Sequence, residues 1–292
     1  MNLSVIIPAQ GRTDHLIRCL RSLDSDKQGN IDYSVCVIDD GSAIDEEFVR
    51  KKAGVYYTLL WRAFPSNKGR SAARNQGIHS TSGDIVVFMD SDMEAQNGFL
   101  EAHLRCHEEQ PKTAVIGRIN WPEGSGFIRY IGTRGVRKLA PGQPVPPWYF
   151  VTGNSSVRRS DLPGEKPFDE QLSGWGGEDQ DLGMRLYNIG ISFTYAPEAQ
   201  TYHHFEGTIA QHIQRTFLYG RDILPILVER YPELRKAVRL DVPGTLHGRL
   251  LVSDAVFYPL AALARLCDMI PLPSILYDYL TFAAYCRGWK KG

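Results

Sequence analysis

Five consecutive apolar residues, Ile85-Val86-Val87-Phe88-Met89, run without a polar break into Asp90-Ser91-Asp92. A segment that is apolar at every position, rather than at alternate ones, fits a strand covered on both faces, as in the parallel layer of an α/β protein. Two other segments repeat the pattern. Residues 3–8 form a β-branched apolar run closed by Pro8 and Gly11, and residues 33–38 end in Asp39-Asp40-Gly41-Ser42. Between them the period changes: Leu16, Ile17, Leu20 and Leu23 recur at helical spacing, with Thr13 or Asp14 to cap the start. Strand, helix, strand predicts an α/β fold with a doubly wound sheet that begins at residue 3.

Further along, residues 71–79 and 97–110 are expected to be helical, the second stopped by Pro111. Gly- and Pro-rich stretches at 122–126 and 141–147 predict long loops on the sheet, with strand-like pieces at 115–119 and 149–151. A helix over 179–189, a short strand over 192–196 and a helical stretch over 208–227 follow. The last forty residues hold apolar stretches at 255–264, 269–277 and 279–286, separated by Asp254, Arg265, Asp268 and Asp278. None approaches the ~20 apolar residues that span a bilayer. They read either as amphipathic helices on a membrane surface, aided by Arg287, Lys290 and Lys291, or as a packed helical subdomain or dimer interface. The expected division is a catalytic domain over 1–205 and a helical region over 206–292.

Charge and cysteine content exclude several classes. Lys and Arg number 33 against 33 Asp and Glu, so the chain lacks the basic excess of a nucleic-acid binder. Cys19, Cys36, Cys106, Cys267 and Cys286 are odd in number and contain no CxxC pair, which argues against a disulfide framework or a zinc site and for a reducing compartment. The start, MNLSVIIPAQGR, lacks the layout of a secretory signal, so a cytoplasmic location is expected.

The acidic residues fall where such a fold does its chemistry. In an open parallel sheet, ligands bind beyond the carboxyl ends of the strands. Two carboxylates delivered there two residues apart are costly unless neutralised, and oxygen ligands suit Mg²⁺ or Mn²⁺, whose shells are commonly completed by substrate phosphates. A helix cap would explain one of Asp90 and Asp92 but not both. In the segment around Asn67-Lys68-Gly69-Arg70, a glycine and a helix start precede Arg74, one turn beyond Arg70, which suits an anionic group. From charge alone, Arg74 serves equally well as the partner of a strand-end aspartate. In Gly174-Trp175-Gly176-Gly177-Glu178-Asp179 the glycines permit a tight loop and Trp175 offers a flat face of the kind that stacks on sugar rings. Glu178 and Asp179 then open a helix, where a carboxylate can act as a general base or merely complement the helix start.

Together these segments resemble the family-two inverting glycosyltransferases of the GT-A fold: Val5-Ile6-Ile7-Pro8, the Asp39-Asp40-Gly41-Ser42 turn, residues 67–77, Asp90-Ser91-Asp92 and the Gly-Trp-Gly-Gly-Glu-Asp loop stand in the family's order. The loop and the later Tyr202-His203 look most like the chondroitin-polymerase and polypeptide GalNAc-transferase branch. The resemblance implies a mixed, Rossmann-like sheet with a helical tail. It implies a metal-dependent inverting transfer from a nucleotide-diphosphate sugar, with UDP favoured, to a hydroxyl of a glycan, a lipid-linked sugar or a small metabolite. By residue, it assigns Pro8, Ala9, Arg12, Asp39, Asp40, Asn67, Gly69, Arg74, Asp90 and Ser91 to the donor, with Asp40 at the nucleobase and Arg74 at the leaving diphosphate. Asn154, Trp175, Gly176 and Gly177 fall to the sugar and acceptor. Asp92, His203 and Asp90 would hold Mn²⁺ or Mg²⁺, with His204 as the alternative to His203, and Asp179 with Glu178 would be catalytic. Gln10-Gly11 departs from the family's frequent Tyr-Asn. The tail, including Tyr219-Gly220-Arg221, resembles the helical region of bacterial members, which suggests peripheral membrane contact. A sugar nucleotidyltransferase and a silent nucleotide-sugar-binding protein are the competing readings. The first wants a basic, glycine-rich loop after the first strand, which Pro8-Ala9-Gln10-Gly11-Arg12 matches poorly.

Overall fold

The computed structural model describes residues 1–24, 28–139, 143–267, 270 and 272–292. The expected features at Pro141, Asp268 and Met269 lie outside the described residues.

Eight strands form one mixed sheet: β1 (Leu3–Ala9), β2 (Tyr33–Asp39), β3 (Thr58–Ala63), β4 (Ile85–Met89), β5 (Met93–Ala95), β6 (Thr113–Asn120), β7 (Asn154–Arg158) and β8 (Ser192–His203), in the order β3-β2-β1-β4-β7-β6-β8-β5. The first four are parallel, with Leu3 opposite both Tyr33 and Ile85. The chain therefore steps outward from β1 to β2 and β3, then crosses back to β4 on the other side of β1. That reversal of strand order opens a crevice at the carboxyl ends of β1 and β4.

Alternation along the strands feeds two apolar layers. Val5, Ile7, Val35 and Val37 face α1 (Thr13–Ser22), α2 (Glu46–Ala53) and α4 (Phe99–Glu109), through Leu16, Leu20, Val49 and Phe99. Ile6, Cys36, Ile38 and Phe88 face the opposite layer, with Ala73 and Ile78 of α3 (Arg70–His79) and Leu182 and Leu186 of α6 (Glu178–Asn188). The expected mixed α/β sheet with a helical tail is present.

Local details differ from expectation for identifiable reasons. Residues 149–151 are not a strand. A single 3₁₀ turn, Pro147–Tyr149, stands there, because its prolines fix φ and remove a donor. The strand lies instead at β7, antiparallel between β4 and β6, in a polar stretch where no strand is expected. The strand expected over 192–196 continues to His203, its register against β6 shifting where Gly117 pairs with Ala196 and Arg118 with Gln200, so that Pro197 falls in the bulge.

The chain divides into two compact units. One comprises Met1–Trp121, Gly135–Ser173 and Glu178–Phe205, and the other Pro122–Arg134, Gly174–Gly177 and Glu206–Gly292. The second is helical: α5 (Gly126–Ile131), α7 (Ile209–Leu218), a π-helical turn over Tyr219–Ile223, α8 (Leu224–Arg230), α9 (Glu233–Ala237), α10 (Leu246–Leu251), α11 (Asp254–Leu266) and α12 (Ser274–Trp289). Thr208 and Gln211 close a reciprocal capping box at the start of α7. Asp278 does not interrupt α12, since it accepts from Tyr130 Oη at 2.8 Å and pairs with Arg134 at 3.2 Å. Gly220 and Gly288 let backbones meet: a Cβ on Gly220 would stand 2.1 Å from the Tyr285 carbonyl, and one on Gly288 2.1 Å from that of Phe217. Among the described residues no helix is long and apolar enough to cross a membrane.

Candidate active site

At the end of β2, Asp39 is wholly buried. Its Oδ1 accepts from the Ser42 amide and hydroxyl at 3.0 and 2.6 Å, and its Oδ2 from the Ile44 amide at 2.8 Å. Ser42 Oγ in turn accepts from the Gly11 amide at 2.8 Å, tying the loop after β1 to the same turn. Gly41 has φ 72°, and a Cβ there would meet the Ser66 carbonyl carbon at 2.2 Å. Asp40, expected at the nucleobase, is also buried. Its oxygens accept from the Lys68 and Gly69 amides at 2.6 and 3.0 Å, so it organises the loop that starts α3 instead of presenting an open carboxylate. Asn67 is exposed in that loop, and Gly69, with φ 88°, precedes the first turn of α3. Pro8 is half-buried, the Ala9 carbonyl accepts from the Asp40 amide, and exposed Arg12 bonds His15 Nε2 at 2.8 Å.

One turn into α3, Arg74 projects into the protein with its side chain 1% exposed. Nη1 donates to Glu178 Oε1 at 3.0 Å and lies 3.6 Å from Asp179 Oδ1, while Nη2 donates to Asp90 Oδ1 at 3.1 Å. The ring of Phe168 lies 5.5 Å from its guanidinium carbon. Of the two readings open for Arg74, the structure selects the counter-ion. Both of its terminal nitrogens are engaged by carboxylates, as charge-assisted pairing favours. Burial works against its charge, but Asp179, Asp90 and Glu178 outweigh it and hold it protonated.

The three carboxylates are not equivalent. Glu178 is 4% exposed and also faces Arg70 Nε at 3.5 Å. Burial opposes its charge, yet Arg70 and Arg74 prevail and keep it below the usual glutamate range. It is an internal counter-charge to Arg74 and Arg70. Asp179 is 23% exposed. It is oriented by Thr152, whose amide donates to Oδ2 at 3.1 Å and whose hydroxyl donates to Oδ1 at 2.8 Å. Burial, then the adjacent charge of Glu178, push its pKa up to about 6 against the pull of Arg74 and Thr152. A half-accessible carboxylate poised near neutrality is suited to proton abstraction.

The second acidic position behaves differently. β5 runs antiparallel to β8 with Met93 opposite His203, which brings His203 Nε2 to 3.1 Å from Asp92 Oδ2. The Trp121 ring lies tilted against the imidazole, with centroids 4.7 Å apart. Asp92 is half-exposed; burial opposes its charge, but the hydrogen bond and charge of His203 lower its pKa. His204 turns to Glu94 Oε2 at 2.8 Å, so His203 is the histidine that faces Asp92. Asp90 does not join them, because its Oδ1 is spent on Arg74. Among the described residues no group of three or more His, Cys, Asp or Glu is gathered to hold a metal. Of the three expected ligands, Asp92 and His203 are in contact with each other, while Asp90 Oδ1 bonds Arg74. One carboxylate oxygen and one imidazole nitrogen at a half-exposed edge fit a hard divalent ion that takes its remaining ligands from phosphate oxygens and water.

Ser91 sits half-buried between the two acids. Asn154, expected at the acceptor, is fully buried. Its Nδ2 donates to the carbonyls of Ala199 and Arg118 and to Thr201 Oγ1, and its Oδ1 meets His103 Nε2 at 3.0 Å. These bonds tie β7 to β6, β8 and α4. In the second unit, Trp175 is half-exposed with the Arg215 guanidinium 4.1 Å over its ring. Gly176 and Gly177 have φ 76° and 93°, and a Cβ on Gly177 would strike Ile223 at 2.3 Å. Sequence reasoning missed Thr152 as the partner of Asp179, together with Glu94, His15 and Trp121. Only the Thr152-Gly153 step before β7, where a Cβ on Gly153 would press Met93 and Asp90, carried a local signal.

The chain is similar to known proteins in both sequence and fold. The model for "Glycosyl transferase family 2" matches residues 4–162, and that for "N-terminal domain of galactosyltransferase" matches 138–208. The pre-mycofactocin glycosyltransferase of Mycobacterium tuberculosis is 31% identical over 248 residues, 80% of this chain and 48% of that protein. The chondroitin synthase of Escherichia coli is 25% identical over 69% of this chain and 34% of its own length. The chain thus spans about half the length, or less, of these two relatives. In fold it is similar to the mannosyltransferase PcManGT of Pyrobaculum calidifontis, solved with GDP-Man and Mn²⁺ (TM-score 0.61, 19% identity, 100% of this chain and 88% of that one). It is also similar to GalNAc-T7 solved with UDP, GalNAc and Mn²⁺ (TM-score 0.54, 16% identity, 76% and 48%).

Proposed function

Because the chain belongs to glycosyl transferase family 2, we propose that it transfers a sugar from a nucleotide-diphosphate donor to an acceptor hydroxyl, with inversion and with Asp179 as the base. The observation that carries this reading is the state of Asp179: accessible, oriented by Thr152 and raised to about 6 by burial beside Glu178. Its carboxylate takes the acceptor proton as that oxygen attacks the anomeric carbon opposite the diphosphate, and a single displacement inverts the centre. Arg74 and Glu178 act from behind it. Their ion pair fixes Asp179 and Asp90 in one rigid array, which is the preorganisation that catalysis requires.

A divalent cation held by Asp92 and His203 would supply charge neutralisation to the leaving diphosphate. We favour a UDP-sugar, with Mn²⁺ or Mg²⁺, as donor, and a glycan or lipid-linked hydroxyl as acceptor, in a reducing compartment that keeps the five cysteines as thiols. The half-exposed face of Trp175 is the expected sugar-stacking surface.

Two substitutions test the reading. Asp179→Asn retains donor binding and lowers turnover about 10²–10⁴-fold; unchanged turnover removes Asp179 from the role. Asp92→Ala abolishes the metal dependence of donor binding in calorimetry, and equal affinity with and without Mn²⁺ in the parent protein contradicts the metal assignment.

A further inference from the structure

Large apolar side chains are exposed at a few scattered places in the first unit and densely in one stretch of the second. Leu246, Leu250, Leu251, Tyr258, Leu263, Leu266, Ile270 and Ile275 are all exposed, with Leu246 at 81%, Leu266 at 86% and Ile275 at 75%. Helical geometry shows that α11 contributes a single stripe. Phe257, Ala261 and Ala264 point inward, whereas Ala255, Tyr258, Pro259, Ala262, Leu263 and Leu266 recur at helical spacing on the opposite side, exposed and uncharged. A helix apolar on both sides is stable only if both are covered. Its inner side is covered by the second unit. The outer side needs an occupant.

Charge selects that occupant. Among the described residues 246–275 the charged groups are Arg249, Asp254 and Arg265, and both arginines are exposed. The single acid, Asp254, is neutralised by Arg287 from the last turns of α12, and that guanidinium also covers the rings of Phe257 and Tyr258 at 4.6 and 5.0 Å. This anchors the basic end of α12, with Lys290 and Lys291, beside the start of α11. Counting Asp268 from the sequence as well, Arg249, Arg265, Arg287, Lys290 and Lys291 stand against Asp254 and Asp268, so the rim is cationic. A second copy of the chain would bring the same sign of charge to the same rim, whereas an anionic lipid surface answers it with the opposite sign. We infer that α10, α11 and the start of α12 dock this protein on an anionic lipid bilayer, with leucines and Tyr258 in the acyl boundary and Arg249 and Arg265 at the phosphates. The inference is independent of the glycosyl-transfer reading, and binding is measured without turnover.

The test is co-sedimentation of the full chain with vesicles of phosphatidylcholine alone or mixed equally with phosphatidylglycerol. Binding to the mixed vesicles and not to the neutral ones is expected. Arg249→Glu with Arg265→Glu lowers the partition coefficient about thirtyfold or more. Leu250→Ser with Leu266→Ser lowers it about tenfold or more. Both double variants keep the parent's circular dichroism and thermal midpoint, because these side chains face solvent. Failure to sediment with the mixed vesicles, or retained binding in both variants, overturns the inference. So does a lipid-free dimer in light scattering that the leucine variant dissolves, since the stripe would then belong to a second copy.

Discussion

Arg74 is the residue on which the site turns. Three carboxylates converge on it, and exposure sorts the four groups into buried framework, Arg74 and Glu178, and reachable groups, Asp90 and Asp179. Removing its charge strands three carboxylates, so Arg74→Met is expected to cost about 3–5 kcal/mol in urea unfolding, the range for breaking a buried ion pair; a loss under about 1 kcal/mol contradicts the counter-ion role. Lys does not rescue it, since one ammonium lacks the fork that reaches Glu178 and Asp90 together. Glu178 tunes its neighbour. Its negative charge is the second cause, after burial, of the raised pKa of Asp179. Glu178→Gln removes that charge, Asp179 ionises more readily, and the acid limb of the rate profile moves below about 6; an upward move counts against the arrangement. Asp179 was legible in the sequence as a carboxylate at a helix start. Its partner Thr152 was not, because the two meet only through the fold, 27 residues apart.

At the scale of elements, β7 shows where pattern reading fails. Asn154, Ser155 and Ser156 are polar and fully buried in the middle of the sheet, so no apolar run marks the strand. Asn154 and Ser156 are tolerated because α4 and β8 satisfy them: Ser156 Oγ meets His107 Nε2 at 2.8 Å and His103 Nδ1 at 2.9 Å, and Asn154 bonds His103 and Thr201. Those bonds come from about fifty residues away, beyond any local window. The strands β1, β2 and β4, by contrast, were readable from continuous apolar runs. The buried histidines have a pH consequence. Burial pushes His103 down to about 4 and His107 to about 3, so both are neutral in the folded protein and protonate readily once unfolded. The unfolded state then binds more protons, and stability falls as pH drops from about 6.5 toward 4. Asp179, raised to about 6, acts in the opposite sense over about pH 4–6, leaving one net group and a slope of about 1.4 kcal/mol per pH unit for the first unit. Urea midpoints that stay constant from pH 6.5 to 5 contradict this.

Across the whole molecule, an exact balance of charge conceals segregation. The acids gather at the carboxyl ends of β2, β4 and the start of α6, whereas residues 206–292 carry eleven Lys and Arg against eight Asp and Glu. Composition alone excludes a nucleic-acid binder and says nothing of where the carboxylates sit. Their order along the chain was legible. Which of Asp90 and Asp92 would turn to Arg74, and which of His203 and His204 would face Asp92, was not, because the second depends on the antiparallel pairing of β5 with β8. The most direct test of Asp179 as the base is the pH dependence of kcat/KM for nucleotide diphosphate release from a UDP-sugar with Mn²⁺ and acceptor. The parent protein is expected to lose about tenfold per pH unit below an apparent pKa of about 6, while Asp179→Asn gives a flat profile about 10²–10⁴-fold lower. An acid limb that persists unchanged in Asp179→Asn contradicts it.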